Sequence, residues 1–106
     1  MDCYGVDLDY FKEQICDELD GACCYIKLAI EMKAMSLSWA KNFTEMSAAE
    51  LDHANKLFKM FEEYCEIISK PYETTPEYIS NAHKEVVEMY TEKSAKVRYM
   101  HDMYNR

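Results

Sequence analysis

The sequence has few residues that interrupt helices, with only two glycines and two prolines among its 106 residues. Glycine and proline punctuate regular structure most strongly, so their scarcity favours long helices and excludes an architecture of many strands and tight turns. Long hydrophobic runs are lacking as well, because no stretch approaches the roughly 20 apolar residues of a membrane span. The first residues, Met1 to Asp9, are polar and acidic. We therefore expect no signal peptide, no membrane partner and a cytoplasmic location.

Basic residues are outnumbered, with 12 Lys and Arg against 20 Asp and Glu, and the formal net charge is −8. Proteins that bind nucleic acids need a basic face to neutralise phosphates, so the net charge argues against a nucleic-acid partner. An acidic surface permits cation binding, although it is more often a feature that keeps a protein in solution.

The five cysteines do not form a regular framework. An odd number without repeated spacing argues against structural disulfides. Cys23 and Cys24 are neighbours in the chain, and adjacent side chains on a helix diverge by about 100°, which disfavours a bridge between them. We interpret the cysteines as small apolar residues in a reducing compartment.

A hydrophobic fraction of 49% over 106 residues indicates one globular domain, residues 1–106, rather than a disordered chain. Apolar residues recur every three or four positions in three segments, which predicts helices at about 8–35, 38–69 and 76–104. Pro71 ends the second segment and Pro76 suits the first position of the third. The fold class is therefore all-α: a long antiparallel helical hairpin followed by a third helix.

Each predicted helix has one apolar stripe. In the first helix its members are Leu8, Phe11, Ile15, Glu18, Ala22, Tyr25, Ala29 and Met32. In the second they are Trp39, Phe43, Met46, Glu50, His53, Leu57, Met60, Tyr64 and Ile67. In the third they are Ile79, Ala82, Val86, Tyr90, Val97, Met100 and Tyr104.

Ionisable residues interrupt these stripes at their centres. Glu50 and His53 are three positions apart, so they share a helix face. In a hairpin that turns near residue 36, Glu18 lies at a similar height on the facing helix. An inward, unpaired carboxylate is costly, and a divalent cation such as iron, manganese or zinc removes that cost. A Glu-x-x-His pair alone is explained more simply by an ion pair or hydrogen bond; Glu18 shifts the interpretation toward a metal.

Two stretches carry a family resemblance. The stretch "DELDGACCYIKLAIEM", residues 17–32, resembles the first helix of ferritin-like proteins, in which a ligand Glu precedes a small residue and a Tyr. The corresponding residues are Glu18, Ala22 and Tyr25. The stretch "WAKNFTEMSAAELDHANKL", residues 39–57, is similar to the second helix of that family. The residues that match it are Phe43, Ser47, Glu50, His53, Ala54 and Leu57.

The resemblance implies a role for each residue of the site. Glu18 and His53 would each bind one metal ion, and Glu50 would bridge two ions. Tyr25 would lie behind the ligands, where it could hydrogen-bond one of them; the alternative is an ordinary core aromatic. The family's catalytic residues would then correspond to Glu18, Glu50, His53 and Tyr25.

The chain departs from the full-length family because it has neither a fourth long helix nor a second Glu-x-x-His pair. Glu88 in the third helix is a candidate additional metal ligand, although it belongs to an acidic face that is explained more simply by exposure to solvent. Half-length ferritin-like proteins, such as those packed inside encapsulin shells, complete the bundle by dimerisation. We expect the same here: a homodimer or higher homo-oligomer with metals at its interface, with a protein shell as a further partner.

The resemblance implies a di-iron centre that oxidises Fe(II), of the ferroxidase type, for iron handling or oxidative protection; manganese or zinc is possible at the same ligands. A rival hypothesis is a helical structural or interaction module that retains the fold without the chemistry. In that case Glu18, Glu50 and His53 form a polar network. A purely structural zinc or calcium ion is a third interpretation.

Overall fold

The computed structural model describes residues 5–106, which form three α-helices and no strand. Helix α1 spans Leu8–Met32, α2 spans Leu37–Ser69 and α3 spans Glu77–Tyr104. The prediction of an all-helical bundle is thereby confirmed, while Cys3 lies outside the described residues. None of these three helices combines the length and the hydropathy needed to cross a lipid bilayer.

The ends of the helices follow from local hydrogen bonds. Asp7 caps α1, because its side chain accepts a hydrogen bond from the backbone nitrogen of Tyr10 at 2.7 Å. Helix α1 ends at Met32, before the predicted end at residue 35. Ser36 caps α2 by accepting from the nitrogen of Trp39 at 3.2 Å. A serine cap thus supplies the boundary that neither glycine nor proline marks.

Helices α1 and α2 pack against each other more extensively than any other pair. The rings of Phe11 and Phe61 have centroids 5.9 Å apart, and those of Tyr25 and Phe43 are 6.3 Å apart. An early residue of α1 thus contacts a late residue of α2, and a late residue of α1 contacts an early residue of α2. The two helices therefore run antiparallel. This direction places the middle of α1 beside the middle of α2.

Helix α3 packs along α1 more extensively than along α2. Lys93 forms an ion pair of 2.5 Å with Asp20 of α1, and the ring of Tyr90 stacks on Phe58 of α2 at 4.1 Å. The Cα atoms occupy a flat volume of 57 × 29 × 14 Å. The three helices thus form a flat arrangement.

The buried face of α2 differs from the predicted stripe. Its buried residues are Ala40, Ser47, Ala54, Phe61 and Cys65. The predicted stripe lies beside this row, and several of its large apolar members are exposed. The prediction favoured the largest apolar side chains, whereas the small residues face α1 because they allow two helices to approach closely. In α1, Leu19 and Ile26 are buried in addition to four of the eight residues of the predicted stripe.

The core of α3 is narrower than predicted. Ile79, Val86 and Val97 of the predicted stripe are buried. Where Lys93 interrupts the stripe in the sequence, the neighbouring Ser94 is buried instead. A small polar side chain can enter this position, and its hydroxyl donates to the carbonyl of Thr91 at 3.4 Å. Lys93 is thereby left free to reach Asp20 at the edge of the helix pair.

Candidate metal centre

Three ionisable side chains meet where the middles of α1 and α2 lie side by side. Glu18 comes from α1, and Glu50 and His53 come from successive turns of α2. One ligand atom from each residue lies within 4.8 Å of those of the other two. The structure thus brings together the three residues that the sequence places at similar heights in a hairpin.

The cluster faces away from α3. Asp20 of α1 and Asn55 of α2 each contact α3, through Lys93 and Tyr90 respectively. Glu18 and His53 each lie two positions from these contacts, and two positions on an α-helix correspond to a rotation of about 200°. The cluster therefore lies on the face of α1 and α2 that α3 leaves uncovered.

The three groups differ in burial, which corrects the expectation that Glu50 and His53 both point inward. The side chain of His53 is 55% exposed, whereas that of Glu18 is 26% exposed. Glu50 is half-buried. His53 belongs to the exposed edge of α2 because the core row runs through Ala54, one position and about 100° away.

One oxygen of Glu18 has an unusual environment. Glu18 Oε2 is buried and has no hydrogen-bond partner among the described residues. The imidazole nitrogen Nδ1 of His53 lies 3.4 Å from it. A carboxylate oxygen that is removed from water without a donor is destabilising unless a cation neutralises it. This buried oxygen is therefore the atom of the site that most needs a positive partner.

The neighbouring carboxylate of Glu50 holds its proton more tightly than an ordinary glutamate does. A hydrogen bond with Glu18, burial, and the negative charge of Glu18 raise the pKa of Glu50 to about 6, while the charge of His53 opposes this rise. Two carboxylates in one site repel each other, and a divalent cation between them removes the repulsion. Carboxylate oxygens and an imidazole are suitable ligands for iron, manganese and zinc. The donor atoms thus fit such an ion.

The other candidate residues lie around or outside this cluster. Tyr25 is half-buried on α1, and its ring stacks on Phe43 with an interplanar angle of 19°. This contact gives Tyr25 a packing role, and a hydrogen bond from Tyr25 to a ligand stays a prediction. Glu88 is exposed on α3 and is not part of the three-residue group found among residues 5–106. Its role as a ligand also stays a prediction.

Two features of the site were not recognised from the sequence. The first is the contact of Gly21 with the side chain of Glu50; the sequence predicts only that this small residue weakens α1 slightly and allows close helix contact. The second is a row of exposed residues on α2, which the apolar spacing of the sequence predicts to be core. These residues recur every seven positions in the sequence, and this spacing is the signal by which the row could have been found. We call the row the α2 seam; its members are Trp39, Met46, His53, Met60 and Ile67.

Comparisons of the chain with protein-family models, with curated proteins and with solved structures gave no match. The function is therefore inferred from the residues and the geometry of the site.

Proposed function

We propose that this chain is a ferritin-like di-metal protein that binds two irons and oxidises Fe(II). The observation that carries the proposal is the convergence of ligand atoms from Glu18, Glu50 and His53 within 4.8 Å. These are the residues that correspond to metal ligands in the resemblance to ferritin-like helices. The buried oxygen of Glu18, which has no hydrogen-bond partner among residues 5–106, supports a positive partner at this position. The rival polar network would supply that partner as a protonated His53, whose Nδ1 lies 3.4 Å away.

A single chain supplies half of the ligands that a di-iron centre of this family uses. Two carboxylates and one imidazole per chain become four carboxylates and two imidazoles in a two-fold dimer. That is the ligand set of ferritin-like di-metal proteins, with one Glu from each of two helices and a Glu-x-x-His pair from each of the other two. Four carboxylates also balance the charge of two divalent cations. A homodimer, or a ring of such dimers, is therefore part of the proposal.

The α2 seam supports this dimer. Its apolar members are strongly exposed: Trp39 61%, Met46 43%, Met60 52% and Ile67 58%. Half-buried residues at 43, 50, 57 and 64 alternate with the seam, which gives the three-and-four spacing of a helix that packs against another helix. His53 lies in the middle of the seam, between Met46 and Met60. A second copy that covers the seam would therefore bury His53 and bring a second group of ligands to it.

The chemistry of the proposed site is a two-electron reaction. Each Fe(II) that becomes Fe(III) releases one electron, and two irons together supply the pair that converts dioxygen and two protons to hydrogen peroxide, or peroxide and two protons to water. Glu18, Glu50 and His53 of the two copies would hold the two irons, and the resemblance implies that Glu50 would be shared between them. The contribution of the chain is to position the ions and to neutralise their charge. Iron handling or oxidative protection, with a protein shell as a further partner, is consistent with this activity.

The proposal is tested by iron stoichiometry. Protein is titrated with Fe(II) without oxygen, its mass and metal content are measured in the native state, and its absorbance is followed after air is admitted. We expect about two irons per dimer and an absorbance change in air. Glu50→Ala should lose both properties. Glu92→Ala is the matched control: it removes an exposed carboxylate of α3 and should keep both properties. Glu88→Ala tests whether Glu88 is an additional metal ligand.

The opposite result identifies the rival function. If wild-type protein takes up no stoichiometric iron, Glu18, Glu50 and His53 form a polar network and the chain is a helical interaction module. If it prefers zinc or calcium in competition with Fe(II) and shows no reaction in air, the ion is structural. Manganese is included in the same competition, because carboxylate and imidazole ligands that bind iron also bind manganese.

A further inference from the structure

Gly21 occupies an unfavourable place for a glycine, the interior of helix α1. A glycine in a helix interior lowers stability relative to alanine because it loses more backbone freedom on folding. Its backbone has no positive φ that would require glycine, since Gly5 is the glycine with that conformation. The reason for glycine at this position must therefore be the space beside it.

That space is filled by the side chain of Glu50. A Cβ atom at position 21 would lie 3.3 Å from Glu50 Oε2, 3.6 Å from its carboxyl carbon and 3.8 Å from Cγ. All three of these atoms belong to one side chain. The first distance is tighter than ordinary van der Waals contact, so the carboxylate would have to move.

Gly21 also lies one helical turn after Glu18, on the same face of α1. The carboxylate of Glu50 therefore crosses from α2 and rests against the bare backbone of α1 beside Glu18. This position keeps a Glu50 oxygen within 4.8 Å of a carboxylate oxygen of Glu18 and of a ring nitrogen of His53. A methyl group at position 21 would force the Glu50 carboxylate to shift by a few tenths of an ångström from its place beside Glu18.

We propose that Gly21 is a positioning residue that leaves room on α1 for the Glu50 carboxylate to reach its metal-binding place beside Glu18. The inference rests on the proposed function, because it assigns Gly21 a purpose at that site. It explains why a destabilising residue occupies the middle of a long helix. Gly21 acts through Glu50 and contacts no metal itself.

The experiment compares Gly21→Ala with wild type in two measurements. The first is the melting temperature of the metal-free protein at one protein concentration. The second is titration with Co(II), whose visible absorption reports both affinity and coordination geometry. We expect Gly21→Ala to retain or raise the melting temperature, yet to bind Co(II) about 10–100-fold more weakly, as substitutions next to metal ligands do. Its absorption spectrum should also change.

A double-mutant comparison isolates the contact with Glu50. In a Glu50→Ala background the methyl group meets no carboxylate, so Gly21→Ala should raise the melting temperature by about 4–8 °C, which is the full gain in helix propensity. When Glu50 is present, Gly21→Ala should raise the melting temperature by less. Cys24→Ala, on an exposed position of the same helix, is the matched control and should change neither Co(II) affinity nor the spectrum.

The outcomes separate this inference from the proposed function. If wild type binds Co(II) and Gly21→Ala binds it equally well with the same spectrum, the positioning role is wrong and the metal site stands. If the rise in melting temperature is the same with and without Glu50, the positioning role is also wrong. If wild type binds no metal, the proposed function fails and this inference fails with it.

Discussion

Ser47 and His101 form a hydrogen bond of 2.9 Å that joins α2 to α3. The hydroxyl of Ser47 also donates to the carbonyl of Ala22 on α1 at 2.6 Å. A hydroxyl has only one hydrogen, so His101 Nε2 must be the donor in the other bond, and its imidazole carries the proton on that nitrogen. Ser47 is fully buried. One hydroxyl therefore connects all three helices close to the candidate metal centre.

Ser47→Ala should lower the free energy of unfolding by about 1–3 kcal/mol, because the hydrogen bonds of Ser47 with Ala22 and His101 would both be lost. Urea unfolding of the metal-free protein measures this change. Ser80→Ala, at an exposed position of α3, is the control and should change stability by about 0.5 kcal/mol or less. Equal stabilities of the two variants would show that Ser47 does not connect the helices energetically.

The stability of the metal-free protein should depend on the protonation of Glu50. The pKa of Glu50 is about 6 in the folded protein, above the value of about 4.3 for an exposed glutamate. The folded state therefore binds this proton more tightly, and its stabilising contribution is fully present below about pH 4.3. The contribution is lost as the pH rises through about 6 and is on the order of 1 kcal/mol, since solvent screens a half-buried group.

Comparison of wild type with Glu50→Gln over pH 4–8 isolates this contribution. The neutral amide should remove the part of the pH dependence that comes from Glu50. His101 makes the stability of the protein depend on pH in the opposite direction, because burial lowers the pKa of its imidazole. Its contribution is present above about pH 6.5 and is lost as the pH falls through its lowered pKa. Both proteins contain His101, so parallel pH profiles in wild type and Glu50→Gln would contradict the prediction for Glu50.

Metal affinity should show the reverse dependence on pH. Glu50 must release its proton to bind a cation, and a pKa of about 6 means that protons compete with the metal below that pH. We expect Co(II) affinity to fall as the pH decreases from about 7.5 to 5.5, with proton release on binding near pH 6. Calorimetric titration in two buffers of different ionisation enthalpy counts the protons released. Constant affinity over this range, without proton release, would exclude Glu50 as a ligand.

Charged substitutions in the α2 seam should separate the proposed dimer. Met60→Glu places a charge two helical turns from His53, on an apolar surface that the second copy would cover, and burying an unpaired charge there is costly. We expect native mass measurements to show monomers and the metal count to fall. Met35→Glu is the control, since Met35 is 78% exposed in the turn before α2 and lies outside the seam. If Met60→Glu keeps the mass and metal content of wild type, the seam is not the interface.

Much of the helical architecture could be predicted because its signals are local. The scarcity of glycine and proline and the periodic apolar residues predict three helices. The end of α2 lies close to Pro71, and the start of α3 lies next to Pro76. The end of α1 was harder to place, because the boundary depends on the side chain of Ser36 accepting a single hydrogen bond. The choice of core face on α2 failed for a different reason. Periodicity identifies rows of apolar residues, but it does not decide which of two neighbouring rows faces α1.

The sequence by itself determined the helical class and placed Glu18, Glu50 and His53 at matching heights, because both depend only on helical periodicity and on distance from a turn. The tertiary structure decided the rest. It directed Ala54 into the core and His53 toward the surface, left one oxygen of Glu18 buried without a donor among the described residues, and set the Glu50 carboxylate against Gly21. These features depend on the rotation of each helix about its axis and on the distance between helices, and both are set by packing of side chains that are far apart in the chain.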